Sequence, residues 1–255
     1  MTLLYGFSAL IFVVLWAPLL VVVERGFQSS AMLALWTRDD LLWSTLQSVG
    51  LATLVGLVSS SVGTITALGF RGSRPQLRSG IEPFLTLPLV LPEIALGLSY
   101  MIGFVQIHWP LGWTTLFMAH FAFTYVYAAL IMRARVESLD VSLFDAARDL
   151  GSGSWGLFRH ALWPQILPAF LAAFLSCFAL SFDDFLISFF NKGVDQSTLP
   201  IQIYSMMKIR LREEIYALSS VLFCLSFFVV LGTQAWLRSK QKSQAQSSQP
   251  QPSWR

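Results

Sequence analysis

The 255-residue sequence has few charged residues, only two cysteines and no nucleotide-binding motif. Charged side chains make up 12% of it against 55% hydrophobic ones, and its mean hydropathy is +0.62, which excludes an ordinary soluble domain. Cys177 and Cys224 both fall in apolar runs, and no cluster of Cys and His has ligand spacing, so we expect no disulfide, metal or cofactor. The pattern Gly-x-x-x-x-Gly-Lys-Ser/Thr is absent, which excludes a P-loop ATPase.

Long apolar runs are what the sequence does contain. Six of them can cross a hydrocarbon core of about 30 Å, which requires about 20 helical residues. We place these spans near 5–23, 45–70, 84–105, 112–133, 166–190 and 215–237. The sequence therefore predicts an all-α membrane protein of six transmembrane helices.

The domain organisation follows from the short loops between these runs. They leave no room for a separate soluble domain, so residues 1–238 are expected to form a single transmembrane domain. Residues 239–255 are rich in Ser, Gln and Pro, and we expect them to be a disordered cytoplasmic tail. The first run lacks a basic segment before it and a prompt cleavage site after it, so we expect an uncleaved span.

The orientation is predicted from the Lys and Arg residues in the loops. With both termini on one side of the membrane, that side holds eleven of them and the other side holds six, which favours cytoplasmic termini. The eleven are Arg71, Arg74, Arg78, Arg133, Arg135, Arg148, Arg159, Arg238, Lys240, Lys242 and Arg255, and the six are Arg25, Arg38, Lys192, Lys208, Arg210 and Arg212. Topology accounts for the net charge of +3, so nucleic acid is not an expected partner.

The second span carries small residues at four-residue spacing. Small side chains let helix backbones approach closely in lipid, where packing rather than the hydrophobic effect drives association. We therefore expect this helix to lie inside the bundle or at a subunit interface. The residues are Ala52, Gly56, Ser60 and Thr64 on one line, and Ser59, Gly63 and Ala67 beside it.

The third span contains Pro83, Pro88 and Pro92, the last of them directly before Glu93. Proline removes a backbone donor and kinks a helix. Freed backbone groups at membrane depth are tolerated where they are buried in protein or line a cavity. We expect this span to border a pathway.

Three acids lie inside predicted spans, namely Glu93, Asp183 and Asp184. A charged residue at the bilayer centre costs about 2.5–3.5 kcal/mol on insertion scales, and no Lys or Arg in these two spans offsets it. The acids either meet a cationic cargo or are protonated or hydrogen-bonded within the bundle. On a regular helix the adjacent Asp side chains point about 100° apart. We favour Asp183 for the pathway and Asp184 for a neighbouring helix, the reverse remaining open, and expect Ser181 to join only if the helix is irregular.

A polar segment at 142–168 separates the fourth and fifth spans. A capping box starts a helix that Gly151 is well placed to end, and Ser154 can cap a second short helix. Pro164 and Pro168 are expected to break the chain before the fifth span. The segment is predicted to be a helix-turn-helix, either an interfacial connector or a docking element.

This segment resembles the EAA loop of ABC-importer permeases, in which Glu-Ala-Ala is followed after three residues by Gly, and later by Leu-Pro. The matching residues are Asp145, Ala146, Ala147, Gly151, Leu167 and Pro168, with Asp145 in place of the usual Glu. In that family the loop, about 140–165 here, is a cytoplasmic coupling helix that docks on the ATP-hydrolysing subunit. The resemblance thus implies ATPase coupling for the first four residues.

Three further motifs, Leu91–Ile94, Leu180–Asp184 and Leu199–Ser205, are similar to the spermidine/putrescine (PotC/PotI-like) subfamily of these permeases over residues 45–235. The resemblance implies a type I ABC importer permease fold and polyamine import across a bacterial inner membrane. It implies an ATP-binding cassette ATPase dimer, a second permease chain in a heterodimer and a periplasmic substrate-binding protein as partners. The chain itself is then not an enzyme.

Other functions fit parts of the same pattern. Permeases for ferric iron or thiamine are similar, and an ion-driven carrier without an ATPase would not need the 142–164 segment. An intramembrane aspartyl hydrolase pairs acids from different helices, unlike the adjacent Asp183 and Asp184. The stretch 199–212 fits either a contact with a binding protein, an outer gate, or an ordinary interfacial helix.

Overall fold

The computed structural model describes residues 2–28, 30, 32–33, 38–140, 153–209 and 214–228. These residues are helical and contain no β-strand, which agrees with the predicted all-α class. A π-helical turn, Leu157–Leu162, joins α6 to α7. The helices are α1 (Thr2–Gly26), α2 (Asp39–Arg71), α3 (Pro75–Val90), α4 (Glu93–Gln106), α5 (Trp113–Glu137), α6 (Ser154–Gly156), α7 (Trp163–Phe182), α8 (Leu186–Asn191), α9 (Leu199–Ile209) and α10 (Glu214–Phe228).

Four helical stretches within the described residues are long and apolar enough to cross a membrane. They are Tyr5–Gly26, Asp39–Arg71, Trp113–Glu137 and Leu157–Phe182, and a fifth span forms if the bent pair α3 and α4 is counted as one. These correspond to the first five predicted spans. The sixth is represented by the shorter apolar helix α10, and residues 229–237 of that prediction lie outside the described residues.

The third predicted span, 84–105, is broken rather than continuous. Helices α3 and α4 meet at an angle of 110°. Leu91 and Pro92 adopt extended backbone angles between them, because a proline ring cannot donate to the ladder and disfavours helix in the residue before it. The expected kink is therefore confirmed, as a sharp bend at Pro92 alone, since Pro83 and Pro88 lie inside α3.

The fifth predicted span, 166–190, is wrong as a single helix. Helix α7 ends at Phe182, residues 183–185 are not helical, and the six-residue helix α8 follows. No proline lies at this break. The carboxylate of Asp184 accepts the backbone N–H groups of Ile187 and Ser188, which starts a new helix instead of continuing the old one.

Helix α2 packs closely against its neighbours, as its small residues predict. All seven small residues of its two lines are buried. A Cβ atom placed on Gly63 would lie 2.8 Å from the backbone of Ala128 and Ala129, and one on Gly56 would lie 3.1 Å from Phe174. Helix α2 thus approaches both α5 and α7 at backbone distance, and Ala67, Met132, Ile166 and Cys177 fill one core cluster among them.

The predicted break at Pro164 and Pro168 is absent. Pro164 lies in the first turn of α7, where its missing N–H matters least, and Pro168 lies inside the same helix. The N–H of Trp163 bonds to the carbonyl oxygen of Phe158, five residues earlier, so the π-helical turn shifts the hydrogen-bond register and keeps the chain helical. Residues Ser154 to Phe182 are therefore continuous helix.

The chain divides into two compact units. Residues 40–205 form one of them and contain every feature described above except α1 and α10. The other unit comprises residues 1–39 and 206–255. In that unit the Ser220 hydroxyl donates to the carbonyl oxygen of Val22 at 3.1 Å, and Arg25 lies over the Tyr216 ring, so α1 and α10 pack against each other.

Candidate functional site

The two breaks in the helices place acidic residues at helix termini. Glu93 is the first residue of α4, directly after the bend at Pro92, and it is exposed. A carboxylate at this position interacts favourably with the positive end of the helix dipole. Asp183 follows the last residue of α7, and its side chain is also exposed. Both acids thus lie where the chain leaves regular helix.

Asp184 is held differently from Asp183. Its carboxylate is buried, with 8% of the residue exposed. Oδ1 accepts from the N–H of Ile187 at 3.2 Å, and Oδ2 accepts from the N–H of Ser188 at 2.7 Å. The carboxylate therefore caps the first turn of α8, while Asp183 remains free of a described ion pair. Because α7 ends at Phe182, the 100° separation expected for a regular helix does not apply to this pair.

Helices α4 and α8 bring the two breaks together. A Cβ atom on Gly97 would lie 3.1 Å from the Phe190 ring and 3.2 Å from the Cα of Ile187, so a larger residue would require these neighbours to shift by a few tenths of an ångström. The Asn191 side-chain amide donates to the carbonyl oxygen of Gly97 at 3.0 Å and fixes the two helices to each other. Close packing of the α4 and α8 backbones therefore brings the two breaks together, and no contact between the acids is needed for it.

As a result, the three predicted acids form one electrostatic cluster. Glu93 begins α4 one helical turn before Gly97, which packs on α8, and Asp184 caps the first turn of α8. Glu93 therefore lies near Asp183 and Asp184, although it is 90 residues distant in sequence from the first of them. Among the described residues, no Lys or Arg forms an ion pair with any of the three. We refer to Glu93, Asp183 and Asp184 as the carboxylate cluster. Backbone N–H groups and His120 compensate Asp184, whereas Glu93 and Asp183 are exposed acids that suit a cation.

Aromatic rings lie beside the cluster. The ring centroids of Phe178 and Phe182 are 5.8 Å apart in a stack. Phe185 packs on Tyr204 of α9 with centroids 4.7 Å apart. Tyr100 packs against the apolar core of Leu96 and Ile187 behind the cluster. Aromatic faces attract cations, and Tyr204 belongs to the motif Leu199–Ser205.

His120 is the residue of this region that sequence reasoning missed. It lies on α5 and is 1% exposed. Nδ1 is 2.8 Å from the hydroxyl of Ser181, and Nε2 is 2.9 Å from the hydroxyl of Ser188 and 3.4 Å from Oδ2 of Asp184. Ser181 is thus buried against α5 and not directed with Asp183. The one available signal was a lone histidine within an apolar run.

The helix α9 starts at Leu199 and is anchored to α2. The N–H of Leu199 donates to the Ser48 hydroxyl at 2.7 Å, and the Gln202 amide donates to Asp40 at 2.8 Å. This segment was left open by the sequence. It is a helix in contact with the long packed helix, so its position is coupled to that of α2.

The residues predicted to couple to an ATPase, Asp145, Ala146, Ala147 and Gly151, lie outside the described residues. The flanks of that segment are well fixed. The Arg71 guanidinium donates to the carbonyl oxygens of Val136 and Leu139, which ties the end of α2 to the chain just after α5. Within the described ranges, no three His, Cys, Asp or Glu side chains form a metal site.

The chain is similar to membrane components of transport systems. Residues 59–243 match the family described as "Binding-protein-dependent transport system inner membrane component". The spermidine/putrescine transport system permease protein PotC of Escherichia coli K12 is 27% identical over 249 residues, covering 93% of this chain and 94% of PotC. The putrescine transport system permease protein PotI of that organism is 31% identical, covering 88% and 86%. A structure titled "Crystal structure of an amino acid ABC transporter with histidines" is 17% identical, with a TM-score of 0.57, and covers 82% of this chain and 98% of its own; this likeness concerns the fold.

Proposed function

Because this chain belongs to the family of binding-protein-dependent transport system inner membrane components, we propose that it moves polyamines, spermidine or putrescine, inward as the permease subunit of an ATP-driven importer. The observation that carries the cargo assignment is the carboxylate cluster at the junction of two broken helices. Membership of the family and the type I importer permease fold establish a transport subunit, and the cluster points to the charge of what it carries.

The chemistry of the cluster fits a linear polycation. Carboxylates in a membrane span are costly unless a cation or hydrogen bonds compensate them, and Asp183 and Glu93 have no ionic partner among the described residues. Ammonium groups separated along a flexible chain can meet separated carboxylates in turn. Phe182, Phe185 and Tyr100 add faces for cation–π contact with the same groups. Ser181 is buried and bonds with His120, so its part in this proposal is to support the site and not to contact the cargo.

The names of the relatives support the same cargo. PotC and PotI are named for spermidine and putrescine, and each is matched over at least 86% of its length. Within this proposal, both termini lie in the cytoplasm of a bacterial inner membrane, residues 1–238 are the permease domain and residues 239–255 are a cytoplasmic tail. The partners are an ATP-binding cassette ATPase dimer, a second related permease and a periplasmic binding protein.

In this proposal the partner subunit hydrolyses ATP. The segment around 140–165 transmits the resulting movement of that subunit to the membrane helices. We expect Gly151→Leu or Ala147→Leu to leave the chain in the membrane and the complex assembled, but to reduce ATP-dependent uptake severalfold, because a bulky side chain at a tightly docked position blocks the contact. Uptake and ATP hydrolysis are measured on the same purified, reconstituted complex. The expected signature is hydrolysis without uptake.

Gly80→Leu serves as the matched control for these substitutions. Gly80 lies on α3, on the same predicted side of the membrane, and an added Cβ meets no atom within 4 Å. Its uptake should equal that of the unmodified complex. Loss of the Gly151→Leu chain from the membrane, instead of loss of coupling, would contradict the docking role.

The cargo itself is tested by uptake of labelled spermidine and putrescine in transport-deficient cells. The cells express this chain with its ATPase, second permease and binding protein, and a parallel strain omits this chain alone. We expect uptake of at least one amine only when the chain is present. A complex that assembles and hydrolyses ATP but takes up neither amine contradicts the polyamine assignment, and ferric iron and thiamine are then the cargoes to test.

A further inference from the structure

One side chain from the neighbouring helix α5 bridges the break between α7 and α8. His120 lies on α5, which is continuous from Trp113 to Glu137. Its Nδ1 bonds with Ser181 in the last turn of α7 at 2.8 Å, and its Nε2 bonds with Ser188 in the first turn of α8 at 2.9 Å. The imidazole therefore holds both sides of the nonhelical residues 183–185 at a fixed separation.

The same ring reaches the carboxylate cluster. Nε2 lies 3.4 Å from Oδ2 of Asp184, the oxygen that accepts the N–H of Ser188. A ring with its proton on Nε2 faces this oxygen and the Ser188 hydroxyl, and its Nδ1 then accepts the Ser181 hydroxyl proton. This tautomer follows from the partners, because Asp184 can only accept when ionised. The orientation of Asp184 thus depends on His120 as well as on the backbone of α8.

The position of His120 is itself fixed by the core. The Thr124 hydroxyl, one turn further along α5, donates to the carbonyl oxygen of His120 at 2.9 Å and lies 2.8 Å from the Ser59 hydroxyl of α2. The Cys177 thiol of α7 donates to the carbonyl oxygen of Thr124 at 3.3 Å. These bonds join α2, α5 and α7, so the backbone that carries the imidazole is fixed by three packed helices.

We propose that His120 is a positioning residue: it sets the geometry of the break at 183–185, and thereby the presentation of Asp183 and Asp184 to the cargo. The effect on the cargo rests on the proposed function. The effect of His120 on the geometry of residues 183–185 does not. Without the imidazole, Asp184 loses its neighbour on α5 and the two serines lose their common partner. The acids then keep their charge, but their relative positions are no longer fixed.

The test uses His120→Asn and His120→Gln in the purified complex with its ATPase, second permease and binding protein. The Asn amide can occupy the place of Nδ1 and keep the bond with Ser181, whereas the Gln amide can reach the place of Nε2 and keep the bonds with Ser188 and Asp184. We expect Asn to raise KM for the transported amine by about tenfold, equivalent to one lost charge-assisted interaction, and Gln to restore most of it.

Thr66→Val is the structural control. It removes the bond between the Thr66 hydroxyl of α2 and the Tyr125 hydroxyl of α5, so it weakens the same helix contact without touching His120, its partners or the break. It should lower Tm and leave KM per assembled complex unchanged. An equal rise of KM in Thr66→Val and His120→Asn, or no rise in His120→Asn, would overturn the positioning role.

A second readout is independent of the cargo. Amide hydrogen exchange in peptides covering 183–188 should be faster in His120→Asn than in Thr66→Val, because the first turn of α8 has lost its partner on α5. Unchanged exchange in His120→Asn overturns the inference. If the unmodified complex transports neither amine, the proposed function fails separately, and exchange alone decides whether His120 holds the break.

Discussion

Asp183→Asn is expected to lower the initial rate of spermidine or putrescine uptake by at least about tenfold, because one charge-assisted interaction with an ammonium group contributes about 1.5–3 kcal/mol. The substitution keeps the size of the side chain and removes only its charge. Asp183 is exposed and takes part in the end of α7 through its backbone N–H, whereas the buried Asp184 caps α8 with its carboxylate, so the amide should be tolerated at position 183. Assembly and ATP hydrolysis should be unaffected.

Asp195→Asn is the matched control for this experiment. Asp195 is an exposed acid in the loop between α8 and α9, outside the carboxylate cluster. Uptake is measured with both variants at the same level of assembled complex. Equal uptake by the two variants would remove Asp183 from the cargo pathway, and failure of Asp183→Asn to assemble would assign it a structural role instead.

Gly63→Leu is expected to prevent α2 from packing on α5. The added Cβ alone would lie 2.8 Å from the carbonyl carbon of Ala128 and the nitrogen of Ala129, which are backbone atoms and cannot move aside cheaply. Overpacking of this kind typically costs about 1–3 kcal/mol, and the remaining atoms of leucine add to it. We therefore expect little folded chain in the membrane and a Tm of the purified complex lowered by several degrees.

Gly50→Leu provides the comparison, since Gly50 lies on the same helix and an added Cβ meets no atom within 4 Å. Both variants carry the same side chain, and thus the same change in hydrophobicity and helix propensity. Gly50→Leu should match the unmodified chain in amount and Tm. A Gly63→Leu chain of normal Tm would mean that α2 and α5 do not approach as closely as described.

The small-residue lines of α2 show where sequence was sufficient. Close packing in lipid needs small side chains at helical spacing, and that requirement is local enough to be visible in one sequence. The bend at Pro92 was predictable for a similar reason, because proline acts on its own helix. In both cases the physical cause lies within a few residues of its effect.

The break after Phe182 was not predictable in the same way. An Asp-Asp pair in an apolar run is compatible with helix, and the new helix α8 depends on which N–H groups the Asp184 carboxylate accepts. The Asp184 carboxylate also lies beside His120, which is 64 residues earlier in the chain. The sequence predicted the three acids as one set, and the contact of Gly97 with α8 explains how Glu93 comes to lie near the other two.

The prolines at 164 and 168 were misread because their effect depends on position. A proline in the first turn of a helix has no hydrogen bond to lose, and the π-helical turn before it supplies the change of register. The same sequence is compatible with a broken helix and with a continuous one. Only the hydrogen-bond pattern shows which of the two forms.

The unbroken helix from Ser154 to Phe182 also has a mechanical consequence. At 1.5 Å per residue it is a rod of about 40 Å, with one end beside the segment predicted to dock on the ATPase and the other at the acids. A tilt of about 5° at the first end displaces the second by about 3.5 Å over that length. If the proposed ATPase docks at the first end, its movement would reach the acids through this continuous helix.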